Sequence, residues 1–164
     1  MQCAMQNHDC LLSVLGACMV AAAKTIFFFE GDTPLSHRNL YLQLIAITLQ
    51  AGGVTYDVRS QRVVPPTDAW YFPKYPGDTV IVPQTEALRA LARFCYQHEA
   101  KLREAECFLG LWQNPETGEI YIDITTCLAD YTEAIVAARM ASEAGGRQIV
   151  AICNPYTGKT AQLS

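Results

Sequence analysis

Asn114-Pro115-Glu116-Thr117-Gly118 and Asn154-Pro155-Tyr156-Thr157-Gly158 are one turn pattern written twice, each time between runs of β-type residues. Cys107–Trp112 precedes the first and Glu119–Ile124 follows it. Gln148–Cys153 precedes the second, and a short last strand follows. Asn-Pro starts a turn, and the closing glycine can take positive φ, so both stretches are expected to be β-hairpins. Hairpins commit neighbouring strands to antiparallel pairing, because a parallel pair needs a long crossover instead. The two turns therefore restrict the fold more than any other feature of the chain.

Helical patterns surround them. Ser36 is a good N-cap for His37–Ala51, in which Leu40, Leu44, Ile47 and Ala51 form one stripe and Tyr41, Ile45 and Leu49 another. Gly52-Gly53 ends that helix. Val54–Val58 then alternates and turns through Arg59-Ser60-Gln61 into Arg62–Val64, a further hairpin. Thr79–Val82 is a strand stopped by Pro83, and a helix is expected over about 84–103 with Leu88, Leu91, Ala92, Cys95 and Leu102 inward. Asp130 followed by Glu133 resembles a capping box and opens a last helix. Ile135, Ala138, Met140 and Ala141 are its expected buried residues, and Gly145-Gly146 ends it. Residues 8–23 add an apolar first helix and Thr25–Glu30 a strand. The expectation is one α+β domain over residues 1–164, with about four helices on a mixed, mostly antiparallel sheet built from hairpins. The order helix, Gly-Gly, strand, turn, strand occurs at 36–64 and again at 130–163, either as an internal duplication or as two uses of a common αββ unit.

Composition narrows the function. A chain of 164 residues with 51% apolar and 17% charged residues can bury a core without staples. The net charge is −4, and Lys and Arg are scattered singly. That argues against a nucleic-acid partner, which needs a basic stripe, and the acidity is too slight for a DNA mimic. Seven cysteines, an odd number with no Cys-x-x-Cys pair, fit a reducing cytoplasm. The uncharged run 10–23 is shorter than the about 20 residues a membrane span needs. The segment before it has no Lys or Arg and carries Asp9, unlike a secretory signal. No membrane partner is expected.

Few residues suggest chemistry. Cys3, His8, Cys10 and Cys18 have the wrong spacing for zinc, and His8 and Cys10 would point apart on a helix. Cys153–Thr160 resembles a phosphate loop, but Cys153 stands where the first glycine belongs and the turn already explains Gly158. No metal, no cofactor and no defined catalytic residue are expected. Among carboxylates, Glu119 and Asp123 are read as sharing one strand face, with Asp57 in another strand, and could do acid–base work if turned into a pocket. The strongest candidate for binding is Pro65–Gly77, with four prolines and four aromatics in thirteen residues. It reads as a stiff loop that displays Trp70, Tyr71, Phe72 and Tyr75, or else folds back as a lid.

Trp112-x-Asn-Pro-Glu-Thr-Gly-x-x-Tyr-x-Asp123, followed by a short loop, an Ala-rich helix, a strand and a second Thr-Gly turn, resembles a module of small accessory proteins of tailed phages and other mobile elements. Ala51–Pro65 resembles the opening of such proteins. The resemblance covers about the last 60 residues. It implies a phage or mobile-element origin. Together with the absence of a catalytic motif and the aromatic segment, the expectation is a non-enzymatic protein in the host-cell cytoplasm that binds a host protein or sequesters a small ligand, in an anti-defence or host-modulating role. Self-association stays open. The helix–strand part is also similar to the end of phage enzymes that cleave S-adenosylmethionine. That implies the alternative, a small metabolite-cleaving enzyme using Asp or Glu and Tyr.

Overall fold

The computed structural model describes residues 34–163; the expected first helix at 8–23, the strand at 25–30 and Cys3, His8, Cys10 and Cys18 lie outside them. Helix α1 spans Pro34–Ala51, so Ser36 lies within it and not at its cap. Gly52 leaves the helix with φ +82, a conformation glycine adopts freely.

The strands are β1 (Gly53–Asp57), β2 (Arg62–Val63), β3 (Trp70–Pro73), β4 (Val80–Val82), β5 (Phe108–Gln113), β6 (Ile120–Leu128), β7 (Ala151–Asn154) and β8 (Lys159–Gln162). They form one sheet in the order β2-β1-β5-β6-β3-β7-β8, with β4 also on β6. Every pairing among them is antiparallel. The long strand β6 is the spine. β5 lies along one side of it, from Phe108↔Thr125 to Gln113↔Ile120. On the other side two short strands share one edge. β3 pairs with Thr125–Leu128 and β4 with Ile120–Ile122. Between them the chain leaves the sheet through a 3-10 turn at Pro76–Asp78.

Three expectations are corrected. Pro65–Gly77 is not one loop: Trp70–Pro73 is a strand inside the sheet, bonded to β6 and β7. Consecutive aromatics suit a strand with neighbours on both faces, and Pro73 is tolerated because it comes last, where the ladder ends. The helix expected over 84–103 is a 3-10 turn (Gln84–Glu86), α2 (Ala87–Gln97) and α3 (Glu99–Leu102), interrupted at His98 with φ −113 and ψ 19. Its buried residues are Ala87, Leu91, Phe94 and Leu102, and Ala92 is exposed. Helix α4 (Tyr131–Gly145) buries Ala134 and Ala138, while Met140 is exposed.

The register assigns the two sides of the sheet. Tyr56, Leu109, Leu111, Ile120, Ile122 and Ile124 point one way and meet Leu44 of α1 and Leu91 and Phe94 of α2 in one buried cluster. Phe72 and Ile152 point the same way and meet Ala134 and Ala138 of α4 in a second. All three long helices thus cover one side. Burying each such Leu, Ile or Phe contributes about 1.5–3 kcal/mol, so the helical layer is held chiefly by these two clusters. The 3-10 turn is wedged between them. Pro76 packs on Gly145 of α4, and Asp78 pairs with Lys101 of α3 at 2.6 Å. The αββ units seen in sequence lie at opposite edges of the sheet, β1–β2 at one and β7–β8 at the other.

Candidate functional site

Strand alternation decides where the aromatic candidates point, since successive side chains leave opposite faces. Trp70 and Phe72 turn toward the helices. Phe72 is buried, and half-buried Trp70 packs its ring on Tyr131 at 4.7 Å. Tyr71 turns to the other face and is buried there, its hydroxyl bonded to that of Thr67 at 2.6 Å. Tyr75 lies beyond the strand and donates to Glu104 Oε2 at 2.6 Å, with Lys101 Nζ over its ring at 4.5 Å. The four do not form one exposed surface, which corrects the reading of them as a single displayed loop. Only Trp70 takes part in the apolar surface described next.

That surface is the outer side of α4. The helix is well delimited: the Asp130 carboxylate accepts from the Glu133 N–H at 2.8 Å, and Gly146 closes it in the left-handed region at φ 63. Its inner residues, Ala134 and Ala138, are small enough to let the backbone lie close to the sheet. Of its larger apolar residues, Ile135 packs partly against the core and others are left outside. Val136 is 52% exposed and Met140 65%, and Tyr131 is 45% exposed beside Trp70. With Leu128, Thr132, Glu133 and Ala137, Val136 and Met140 line an open depression of about 370 Å³. Leu128 is also the cross-strand partner of Trp70, so the aromatic pair and the depression are continuous. Sequence reasoning placed Met140 in the core and passed over Val136. The signal was present, because Ile135–Ala138 and Met140 put apolar residues around more of the helix than one buried stripe requires.

The carboxylates separate as well. Glu119 stands ahead of β6 and accepts from Thr117 Oγ1 at 3.0 Å within the turn, so it does not share a strand face with Asp123. At Asp57, burial alone would raise the pKa. Hydrogen bonds from Ser60 and from Arg59 outweigh that and hold it below the ordinary carboxylate range. Asp123 differs. It sits in the middle of β6, on the side that no described helix covers, opposite Gly110. A Cβ on Gly110 would come within 2.6 Å of Asp123 Oδ1 and closer still to Thr125 Oγ1. The glycine therefore leaves the notch that the Asp123–Thr125 pair fills, with the Thr125 hydroxyl donating to Asp123. Burial pushes the Asp123 pKa up to about 6, against the opposing effects of that hydrogen bond and of Arg147. A carboxyl titrating there can give or take a proton near neutral pH. Beside it on the same face stand Tyr121 and Trp112, ring centroids 5.1 Å apart, with Trp112 45% exposed.

Among the described residues no group of three or more His, Cys, Asp or Glu could hold a metal, and no helix is long and apolar enough to cross a membrane. Cys95, Cys107, Cys127 and Cys153 are in no disulfide, and burial pushes the Cys95 thiol up to about 11. No protein-family model, curated protein or solved structure matches the chain.

Proposed function

We propose that the chain is a binding protein that docks a partner protein on the outer side of α4. The observation that carries this is the exposure of Val136 and Met140 over an apolar depression that runs on to the Trp70–Tyr131 pair. Large apolar side chains exposed together on one helix face mark interaction surfaces in soluble domains. The depression is open and shallow, which suits the side chains of a protein better than an enclosed small ligand. Glu133 at its rim favours a partner with a basic residue beside its apolar anchors. The resemblance to accessory proteins of tailed phages points to a bacterial host protein as that partner, in an anti-defence or host-modulating role. Capture from bacterial lysate tests this with three baits: the wild type, Met140→Glu, and Tyr96→Glu as a control at an exposed residue on another helix. A partner retained by the wild type and the Tyr96 variant and lost by the Met140 variant supports the proposal. Equal capture by all three overturns it.

One observation favours a second reading. Asp123 has a pKa near 6 and lies on the other side of the sheet beside Tyr121, the residue types that the metabolite-cleaving alternative requires. Incubation with S-adenosylmethionine, followed by chromatography, discriminates. Turnover lost in Asp123→Asn would favour the enzyme over the binder.

A further inference from the structure

Among the described residues, a group of reactive side chains lies away from both surfaces, where the chain leaves β3. Lys74 Nζ is 3.3 Å from Cys107 Sγ, at the foot of β5. Glu104 Oε2 lies 3.5 Å from that nitrogen and 3.8 Å from that sulfur, and it also accepts from Tyr75. The sulfur is fully buried. Its cover includes Lys74 and Glu104, whose side chains are 33% and 42% exposed. Two partly exposed, flexible charged chains thus stand between the sulfur and solvent on this side. The thiolate is the form that attacks peroxide, and the Lys74 nitrogen lies in contact with the sulfur that would carry the charge. Burial would lower the Lys74 pKa, but the contact with Cys107 outweighs it and holds the group above the ordinary lysine range.

We infer that Lys74 and Cys107 form an oxidative cross-linking site, in which hydrogen peroxide joins them through a sulfenamide bond. In the first step the Cys107 thiolate attacks one peroxide oxygen. An S–O bond forms, the O–O bond breaks, and the departing hydroxide takes up a proton to leave as water. Sulfur is oxidised by two electrons and peroxide is reduced by the same two, giving the sulfenic acid. In the second step the Lys74 ammonium passes one proton to Glu104, and the neutral amine attacks the sulfur. The S–N bond forms, the S–O bond breaks, and the hydroxyl leaves as water with the proton that Glu104 received. The nitrogen then releases its surplus proton to solvent. Thiol, ammonium and one peroxide thus give the sulfenamide, two waters and one proton. The bond is reversible by thiols. It would pin the start of the β3–β4 excursion to β5 and make the junction responsive to oxidants.

The test treats the reduced full-length chain with hydrogen peroxide, blocks remaining thiols, digests with trypsin and reads peptides by mass spectrometry. The expected product joins the Lys74 and Cys107 peptides with a mass about 2 Da below their sum. Cleavage after Lys74 is lost, and dithiothreitol restores both peptides. Lys74→Arg keeps the positive charge but offers no primary amine. It should give no cross-link and leave Cys107 trapped by dimedone as the sulfenic acid, with an unchanged circular dichroism spectrum confirming the fold. Two results overturn the inference. One is a Cys107 that remains a free thiol at doses that oxidise exposed Cys153. The other is an oxidised Cys107 in the wild type that is never joined to Lys74.

Discussion

Gly110→Ala is the sharpest test of the sheet's inner logic. The new methyl group would lie 2.6 Å from Asp123 Oδ1 and nearer still to Thr125 Oγ1, inside any allowed contact. Neither atom belongs to a chain with room to swing clear. Thr125 is buried and paired with Phe108, and Asp123 holds its hydroxyl. Relief means breaking that hydrogen bond or spreading β5 from β6. Forcing a methyl group into a filled site costs about 1–3 kcal/mol, and unmaking a part-buried hydrogen bond adds about 1–2 kcal/mol. The expected loss is about 2–5 kcal/mol by these two effects. At about 2–4 °C for each kcal/mol, that is a fall of roughly 4–20 °C in Tm.

The reasoning is checked by urea unfolding of a double-mutant cycle. Thr125→Ala removes the oxygen nearest the new methyl group. Gly110→Ala should therefore cost at least about 1 kcal/mol less in the Thr125→Ala background than in the wild type, a coupling expected only for side chains in direct contact. A Gly110→Ala protein as stable as the wild type would refute the notch. So would additivity of the two changes, because the loss would then come from the β5 backbone and not from the Asp123–Thr125 pair.

Two further predictions follow from backbone and charge. Gly118 closes the β5–β6 hairpin at φ 73, where a β-branched residue is strained, so Gly118→Val should lower stability by about 1 kcal/mol or more in thermal melts. Asp123 has a folded pKa raised from 3.8 to about 6, so the folded state holds its proton more tightly than the unfolded state. Its contribution to stability is fully present below about pH 4 and is lost as pH rises through about 6. Asp123→Asn keeps an acceptor for Thr125 and removes the titration. Its stability relative to the wild type should therefore climb between about pH 4 and pH 6, as read by urea unfolding across that range. A constant difference would show that Asp123 ionises as easily in the fold as in the open chain.

Much of the fold was legible because it is written in local rules. The two Asn-Pro-x-Thr-Gly turns are the β5–β6 and β7–β8 connections, and Gly118 and Gly158 have φ 73 and 69 as expected. Asp130 caps α4 through its side chain, and Gly146 ends it. Where the sequence misled, a tertiary effect had outweighed a local one. The helix over 84–103 breaks at His98 although no proline or glycine is there. His98 lies 3.7 Å from Asp78, and Lys101 reaches the same carboxylate. These partners come from a turn some twenty residues earlier in the chain, which helix propensity does not register.

The aromatic segment was misread for a related reason. Prolines and aromatics between Pro65 and Gly77 carry turn signals, and turn signals report that the chain bends, not how often. Here it bends twice, before Trp70 and after Pro73, and a central strand fits between the bends. Once the segment is a strand, alternation sends Tyr71 away from Trp70 and Phe72, and a shared aromatic surface becomes impossible. Val136 and Met140 were hidden by the opposite difficulty. A helix whose apolar residues extend beyond one face gives no sign of which ones the sheet will take. Ala134 and Ala138 hold that place because small side chains let α4 approach Phe72 and Ile152 closely. Larger neighbours were thereby turned outward beside Leu128. The close seating of α4 on β3 and β7 is what exposes the surface proposed to bind, so fold and candidate site have one cause.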